Sequence, residues 1–318
     1  MIHDDTIAAT VHPAGGTHAF TEWMKQTARL LPASAQRFMP ARLGLDHIPD
    51  AFTLGRLGPL EVRLADRKSD VRRAQKLRYR VFYKEGSAIA DARMMFARRD
   101  IDAYDAICDH ILVLDHSRLT KKKLRPPVIG TYRLLRQDIA GAHGGFYTEN
   151  EFAIRDLVAR HPQARFVELG RSCVLPLYRT KRTVELLWHG VWSYVRRHNC
   201  DVMIGCASFE GTDPDRLALP LSFLHHFARA PEEWRASALP SRAVDMNRMA
   251  KEAIDPKAAL HALPPLIKGY LRLGAYVGDG AVIDHQFGTT DVLIVMPVSA
   301  ISARYIDHFG ADATRHAA

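Results

Sequence analysis

Two hydrophobic periods alternate along residues 60–210, and this alternation predicts an α/β fold. Short apolar runs predict strands, whereas apolar residues spaced three and four apart predict amphipathic helices. The predicted strands cover residues 60–64, 110–114, 128–135, 165–175 and 201–207, and the predicted helices cover residues 70–83 and 183–197. This order of elements indicates a sheet that is flanked by helices.

The pattern changes after residue 212, where prolines divide the chain into short pieces. Because proline interrupts helices and strands alike, residues 213–263 are predicted to form a helical insertion. Two final strands are expected at residues 266–277 and 291–298, joined by Gly278-Asp-Gly280. The expected divisions are a lead segment (1–55), a core (56–212), the insertion (213–263) and C-terminal strands that complete the core (264–318).

The composition of the 318 residues, 47% hydrophobic and 25% charged, is typical of a folded globular protein. No apolar run reaches the roughly 18 residues that a membrane-spanning helix needs, and the acidic N-terminus lacks the features of a secretory signal. The four cysteines show no CxxC spacing. These features predict a cytoplasmic protein with neither disulfide bonds nor a metal site.

An excess of basic residues, 44 Lys and Arg against 35 Asp and Glu, predicts an anionic partner. Basic clusters at residues 63–99 and 118–125 suit nucleic acid, an anionic lipid surface or an acidic carrier protein, and solvated helix faces are the alternative. We do not expect nucleic acid, because the aromatic residues follow core spacing and do not alternate with the basic clusters. The amphipathic stretch Phe20–Leu31 predicts peripheral binding to the anionic inner face of the cytoplasmic membrane.

Three short motifs lie on or beside the predicted elements, in a fixed order along the chain. Each combines charged residues with a defined spacing, and the first places its two end residues on one helix face. They are Arg78-Tyr-Arg-Val-Phe82 on a helix, Asp102-Ala-Tyr-Asp105 before a strand, and Gly130-Thr-Tyr-Arg133 coupled with Glu168-Leu-Gly-Arg171 on two further strands.

Together these motifs resemble those of the acyl-homoserine lactone synthases and the related N-acyl amino acid synthases, which share the fold of the GCN5-related N-acetyltransferases (GNAT). The segment Leu263–Ala275, with Asp284, Phe287 and Thr290–Leu293, resembles one branch in particular. That branch is the ornithine N-acyltransferases that use acyl carrier protein, sometimes labelled hemolysin-like. The resemblance implies a GNAT-like α/β fold, with a central, mixed, mostly antiparallel twisted sheet whose central strands splay apart.

The same resemblance implies an activity. Enzymes of this branch form an amide by moving a (3-hydroxy)acyl chain from acyl carrier protein to the α-amine of L-ornithine, which gives lyso-ornithine lipid. No cofactor and no metal is implied, because the phosphopantetheine thioester of the carrier is itself the donor substrate. The resemblance also implies that Arg78 and Phe82 contribute to substrate binding.

The chemistry of amide formation points to particular side chains. An α-ammonium group is not a nucleophile until it loses a proton, so a carboxylate must lie within hydrogen-bond reach. Glu168, on the central strand, is the candidate base, and Arg133 and Arg171 are expected to position the thioester and the substrate carboxylate. Glu168 and Arg171 lie on opposite strand faces unless a β-bulge intervenes. The alternative role for Glu168 is a structural ion pair with Arg133 or Arg78.

Two aspartates are candidates for contact with the amino acid. Asp102 and Asp105 could hold the ammonium groups of the substrate, or could order Arg78 through charge-assisted hydrogen bonds. A solvated acidic turn is the alternative, because aspartate is common in turns.

The donor is predicted from the turn that follows the central strand. GNAT enzymes that use coenzyme A carry a glycine-rich turn there, whose N–H groups hold a pyrophosphate. The turn Pro176–Arg182 contains no glycine, so a single phosphate on a carrier-bound pantetheine fits better, and a solvated basic turn is the alternative. The residues expected to contact the carrier are Arg179, Lys181 and Arg182, with residues 121–125. The backbone expected to donate to the thioester oxyanion is that of Cys173, Val174 and Leu175.

Three alternatives stay open. His110-Ile-Leu-Val-Leu-Asp115 and Phe209-Glu-Gly-Thr212 are similar to motifs of glycerol-phosphate-type acyltransferases, although residues five apart on a strand point to opposite faces. Another amino acid could be the acceptor, since only pocket residues would need to change. A basic protein that binds anionic lipid is the non-enzymatic alternative.

Overall fold

The computed structural model describes residues 52–120 and 125–301. The amphipathic stretch Phe20–Leu31 and most of the predicted lead segment lie outside the described residues, as do residues 121–124 of the basic loop. The division of the chain into four parts therefore stays a prediction.

The described residues form one nine-stranded mixed sheet. Six of its strands were predicted at nearly these positions, because their apolar runs are long and bounded by turn residues. The strands are β1 (Thr53–Leu57), β2 (Leu60–Leu64), β3 (Asp109–Asp115), β4 (Val128–Arg136), β5 (Phe166–Val174), β6 (Val202–Glu210), β7 (Ala243–Val244), β8 (Tyr276–Asp284) and β9 (Thr289–Pro297). Their order across the sheet is β1-β2-β3-β4-β5-β6-β9-β8-β7, and each neighbouring pair is antiparallel except β5 and β6.

Eight α-helices accompany the sheet in the described part of the chain. They are α1 (Lys68–Tyr79), α2 (Ala92–Ala97), α3 (Gln137–Ala142), α4 (Ile154–Arg160), α5 (Lys181–Arg197), α6 (Ala218–Phe227), α7 (Pro256–Ala262) and α8 (Pro265–Leu273). Helix α1 packs Ala74 against Leu112, whereas Gly190 of α5 lies against Ile111. Because adjacent strand residues point to opposite faces, these two helices cover opposite faces of β3.

The centre of the sheet opens between β5 and β6. These parallel strands pair only from Phe166 to Glu168, opposite Val202 to Ile204. The backbones come closest at Gly205, where a Cβ atom would overlap the carbonyl oxygen of Leu169. Beyond this point the strands diverge, so the cleft that the GNAT resemblance implies lies between the second halves of β5 and β6.

The C-terminal prediction was wrong in two respects. Residues 265–273 form helix α8 and not a strand, and Gly278-Asp-Gly280 lies inside β8 as a bulge and not in a connection. A proline at the first helical position and a left-handed glycine after the last turn mark this helix, since Pro265 begins it and Gly274 has φ 97°. The segment 213–263 holds α6 and α7 but also β7, which pairs with β8 at the sheet edge.

Candidate active site

A cavity of about 640 Å³ fills the opening between β5 and β6. Both strands contribute to its lining, as does the β8–β9 hairpin. Of the residues named as candidates from the sequence, those that line it are Phe82, Arg133, Glu168, Arg171 and Arg179. The sequence motifs therefore converge on one site, although they are spread over about 100 residues of the chain.

A β-bulge in β5 places two of these side chains together. Gly170 is opposite Arg133 but Cys173 is opposite Thr131, so β5 has one extra residue at this point. Arg171 adopts the left-handed conformation there, with φ 50°, which is uncommon for a residue other than glycine. The bulge lets Glu168 and Arg171 reach the same segment: the N–H of Tyr147 donates to Glu168, and the guanidinium of Arg171 lies 4.8 Å from the Tyr147 ring centroid. The conditional expectation of a bulge is confirmed.

Glu168 is buried at the base of the cavity and is held by three donors. The N–H of Tyr147 donates to Oε2 at 2.9 Å, and the N–H of Thr148 donates to Oε1 at 2.7 Å. The Thr148 hydroxyl also donates to Oε1. Burial raises the pKa of Glu168, and the hydrogen bonds oppose this increase only in part. Neither Arg133 nor Arg78 forms an ion pair with Glu168 in the described structure, so the structural role proposed as the alternative is not the observed one.

Asp102 joins two of the arginines that line the cavity, Arg133 and Arg171. Its oxygens accept two hydrogen bonds from Nη1 of Arg133, at 2.6 and 2.7 Å, and one from Nη2 of Arg171 at 3.3 Å. Arg171 also lies 3.5 Å from Asp100. The shared Asp102 carboxylate offsets the repulsion between the two guanidiniums beside it. Asp102 consequently orders arginines, which is a different role from the ammonium contact considered from the sequence.

The structure does not place Arg78 and Asp105 against the cavity, and Asp105 instead orders Arg78, which is the second of the two roles considered for it from the sequence. Arg78 is only 1% exposed and donates to Asp100 at 2.7 Å and to Asp105 at 2.7 Å. Burial alone would raise the pKa of Asp105, but the guanidiniums of Arg78 and Arg133 lower it below its usual value. Neither Arg78 nor Asp105 lines the cavity, and both belong to an ion-pair network behind it.

Aromatic rings cover the arginine side of the cavity. Phe82 lies in a single π-helical stretch, Arg80–Glu85, that continues α1, and its ring meets that of Phe287 edge-on at 5.6 Å. The Arg171 guanidinium is 4.6 Å from the Phe287 centroid and faces Tyr147 as well. Two rings therefore hold this cation in place, which favours an extended and ordered guanidinium.

The predicted oxyanion donors do not line the cavity. The N–H of Leu175 already donates to Ile129 at 2.9 Å, and Cys173 and Val174 pair with β4. The residues of β5 that border the cavity are 169–172, which include the bulge itself. The predicted site was displaced by a few residues because the position of a bulge within a strand cannot be seen in the hydrophobic pattern.

The three basic residues predicted for the carrier separate in the structure. Arg179 lines the cavity and donates from Nε to the carbonyl of Val174 at 3.1 Å. Lys181 pairs with Glu185 at 3.5 Å, and Arg182 lies beside the β1–β2 turn at Gly58. Neither Lys181 nor Arg182 is part of the cavity lining, so Arg179 is the member of this group that the structure places at the site.

Comparison with known proteins agrees with this geometry. A family model described as an acetyltransferase (GNAT) domain matches residues 77–189. An L-ornithine N(alpha)-acyltransferase of Rhizobium meliloti (strain 1021) is 56% identical over 267 residues, which cover 84% of this chain and 90% of the relative. The chain belongs to the L-ornithine N(alpha)-acyltransferase family. A second relative with this name, from Agrobacterium fabrum (strain C58 / ATCC 33970), is 56% identical over 261 residues, 82% of this chain and 88% of its own length.

Among solved structures, the chain aligns with an N-acyl amino acid synthase from uncultured soil microbes. The TM-score is 0.41 at 8% identity, and the alignment covers 76% of this chain and 91% of that one. The membership in the L-ornithine N(alpha)-acyltransferase family rests on the relatives in sequence and not on this distant likeness.

His110 and Asp115, which a glycerol-phosphate-type acyltransferase would need as a pair, do not contact each other in this member of the L-ornithine N(alpha)-acyltransferase family. His110 lies 3.2 Å from the carbonyl oxygen of Asp105. Asp115 instead accepts hydrogen bonds from Ser117 at 2.6 Å and from Tyr178 at 2.7 Å. The two residues of the HxxxxD pattern therefore serve different contacts, as their spacing on β3 requires.

Sequence reasoning missed one group of carboxylates in this family member. Asp284 and Asp291 line the cavity, and Glu151 lies directly beside them. Asp284 and Asp291 lie on the two strands of the β8–β9 hairpin, but Glu151 is more than 130 residues away in the chain, so no local spacing could link all three. Asp284 and Asp291 do fall in the C-terminal segment that carries the family resemblance, which was the available signal.

Proposed function

We propose that this protein transfers an acyl chain from the thioester of an acyl carrier protein to the α-amine of L-ornithine. One observation carries the proposal: a buried carboxylate with a raised pKa, Glu168, lies at the opening of the splayed strands in a member of the L-ornithine N(alpha)-acyltransferase family. The cavity lining contains more acidic than basic side chains, which suits a cationic amino acid.

Glu168 would accept the proton that the α-ammonium must lose. An ionised carboxylate has about four acceptor positions, and three are already used by Tyr147 and Thr148. The remaining position can take a proton from the ammonium, directly or through one water. Burial raises the pKa of Glu168 in the direction of neutral pH. A general base works best when its pKa lies near the operating pH, because it must both accept a proton and release it again.

The reaction itself forms a C–N bond and breaks a C–S bond. The free amine attacks the thioester carbonyl carbon, and the resulting oxyanion would be stabilised by N–H groups of β5 within residues 169–172. Collapse of this intermediate expels the pantetheine thiolate, which takes up the second proton lost by the nitrogen. Arg171, which lies between the rings of Tyr147 and Phe287, would bind the α-carboxylate, and Arg133 would position Arg171 through Asp102.

Several features support a carrier protein as the donor. The turn between β5 and α5 is filled by side chains, since Tyr178 donates to Asp115 at 2.7 Å and Arg179 to Val174. Leu177 is 89% exposed beside Arg179. An exposed leucine next to a cation suits the acidic, partly apolar surface of a carrier better than a nucleotide pyrophosphate, which needs a nest of N–H groups.

The product would be amphiphilic, so we also propose reversible binding to an anionic membrane surface. No helix among the described residues is long and apolar enough to span a bilayer. The amphipathic stretch Phe20–Leu31 supports a peripheral association. Replacing Phe20 and Trp23 by serine in the full chain should weaken sedimentation with anionic vesicles, and unchanged sedimentation would exclude this role for the stretch.

The donor is tested by supplying L-ornithine with either a 3-hydroxyacyl carrier protein or the matching acyl-coenzyme A. We expect acyl-ornithine to form from the carrier with a higher kcat/KM by at least an order of magnitude. Equal or better turnover of the coenzyme A thioester would overturn the proposed donor while leaving the acceptor unaffected. No product from either donor would overturn the proposed function.

A further inference from the structure

Three carboxylates meet at one side of the cavity, outside the group that contains Glu168. Glu151 follows a short helical turn, Asp284 ends β8 and Asp291 lies in β9. One oxygen of each lies within 4.8 Å of the others, and all three residues are buried. We call this group the acidic trio.

The negative charge of the acidic trio is poorly compensated. Glu151 lies 3.5 Å from Arg242 and accepts from the Cys206 thiol at 3.2 Å. Among the residues that the structure describes, Asp284 accepts hydrogen bonds from the N–H groups of the hairpin turn, those of Gln286 and Phe287. Among the described residues, neither Asp284 nor Asp291 has a cation within ion-pair distance. Burial and the neighbouring Asp291 raise the pKa of Glu151 to about 7, which reflects this repulsion.

Asp291 supplies the observation that points to a ligand. The residue is 7% exposed, and its Oδ1 atom has no hydrogen-bond partner in the described structure. A buried acceptor atom without a donor is costly, so Oδ1 is expected to be matched by a donor when the site is in use, even though Ser208 and Thr289 lie near the same carboxylate. Because Asp291 lines the cavity, that donor can come from a bound substrate.

We propose, on the basis of the function proposed above, that Glu151, Asp284 and Asp291 bind the side-chain ammonium of the acceptor amino acid. The acidic trio would thereby select ornithine over amino acids whose side chains are neutral. It would also direct the δ-ammonium away from Glu168, so that the α-amine is the group that is deprotonated and acylated.

The geometry suits an ammonium group. Three N–H donors around a tetrahedral nitrogen need acceptors roughly 4.6 Å apart at hydrogen-bond distance, and the limit of 4.8 Å between the trio's oxygens admits this spacing. A hard divalent cation would take about six or more oxygen ligands, several of them usually water. The described protein residues offer three carboxylates.

A short chain of contacts joins the acidic trio to Glu168. The Cys206 thiol connects them, because it lies 3.2 Å from Glu151 and 3.9 Å from the hydroxyl of Thr148, which donates to Glu168. The two nitrogens of an extended ornithine are about 6 Å apart. One molecule can therefore present its α-amine to Glu168 while its δ-ammonium contacts the trio.

The test compares ornithine with norvaline, which has the same carbon chain but lacks the δ-amine. Binding of each amino acid to the full-length wild type and to Asp291→Asn is measured by calorimetry without an acyl donor, and acylation is measured in parallel. We expect Asp291→Asn to lower ornithine affinity by on the order of 10- to 100-fold, from the loss of a charge-assisted hydrogen bond, with little change for norvaline. The ornithine-to-norvaline ratio of kcat/KM should fall by a similar factor, with an unchanged KM for the acyl donor.

Asp279→Asn is the matched control, because Asp279 lies on β8 as Asp284 does but pairs with Arg229 outside the cavity lining. It should leave the ratio unchanged. If Asp291→Asn does not fold, Glu151→Gln serves in its place. An unchanged ornithine-to-norvaline ratio of kcat/KM in the trio variant would overturn the proposal. A second contrary result would be stoichiometric binding of Mg²⁺ or Ca²⁺ by the wild type that the variant loses, while the variant still binds ornithine. If the wild type binds ornithine through the trio but does not acylate it, the proposed function fails and the recognition site stands.

Discussion

Thr148 donates to Glu168 through both its backbone N–H, at 2.7 Å, and its hydroxyl. The short helical turn Tyr147–Asn150 thus fixes the orientation of a carboxylate that belongs to the central strand. This arrangement differs from a structural ion pair, because backbone donors hold the group in place without supplying a compensating charge. Glu168 therefore keeps both its position and a raised pKa, and these are the properties a proton acceptor needs.

Replacing Glu168 by glutamine tests its role as base. The amide keeps the size, and its oxygen can accept the two hydrogen bonds from Thr148, but its NH2 group cannot accept the one from Tyr147 and it cannot take up a proton. We expect kcat for acyl-ornithine formation to fall by roughly 10²- to 10⁴-fold in a protein that is still folded at the assay temperature. Glu149→Gln is the control, because Glu149 lies on the same helical turn and pairs with the exposed Arg155. Equal activity of the Glu168 and Glu149 variants would refute a base at this position.

Replacing Arg78 should lower the free energy of unfolding and leave the affinity for ornithine unchanged. Arg78→Met leaves Asp100 and Asp105 buried without their main cation, so the free energy of unfolding should fall by about 3–5 kcal/mol. Arg80→Met, which removes a surface pair with Glu85, should cost less than about 1 kcal/mol. Urea unfolding of both variants provides the measurement. A stable Arg78→Met protein with a raised KM for ornithine would restore the substrate contact implied by the family resemblance.

Replacing Arg179 should weaken binding of the acyl carrier protein and leave binding of ornithine unchanged. Reversing its charge in Arg179→Glu places repulsion at the cavity mouth, so the KM for the acyl carrier protein should rise on the order of tenfold at low salt. The KM for ornithine should change little. Arg182→Glu is the control, because Arg182 lies beside the β1–β2 turn, outside the cavity lining. If both variants raise the KM equally, general surface charge and not Arg179 attracts the carrier.

The pH dependence of stability provides a test of the acidic trio in the free protein. Burial and Asp291 raise the pKa of Glu151 to about 7 from its ordinary 4.5. Between these values the folded protein holds a proton that the unfolded chain releases, so this group lowers the free energy of unfolding as pH rises, by up to roughly 3 kcal/mol. Glu151→Gln does not titrate and should show a smaller decline between pH 4.5 and 7. Parallel profiles of unfolding against pH would contradict the raised pKa.

The sequence was sufficient for those parts of the site that lie on long, regular elements. Glu168, Arg133 and Arg171 could be placed from strand periodicity and the family resemblance, and the required bulge followed from the spacing of Glu168 and Arg171. The exact position of the bulge could not be predicted, so the oxyanion donors were placed at Cys173–Leu175, a few residues beyond the cavity lining.

Other features depend on tertiary packing. The β8–β9 hairpin brings Asp284 and Asp291 together locally, whereas Glu151 precedes them by more than 130 residues and joins the acidic trio only through tertiary packing. Helix α8 was mistaken for a strand because its apolar residues were weighed without its boundary signals, Pro265 and Gly274. Arg78 was assigned to substrate because the motif gives a residue type and a position, but not which partner occupies its guanidinium.

The most direct test is tandem mass spectrometry of the product formed from a 3-hydroxyacyl carrier protein and an equimolar mixture of ornithine, lysine, norvaline and glutamine. Fragmentation shows both which amino acid is acylated and which nitrogen carries the acyl group. The account predicts Nα-acyl-ornithine as the main product, because Glu168 deprotonates the α-amine while the acidic trio holds the δ-ammonium. An Nδ-acyl product, a predominantly acylated neutral amino acid, or no acylated amino acid would contradict it.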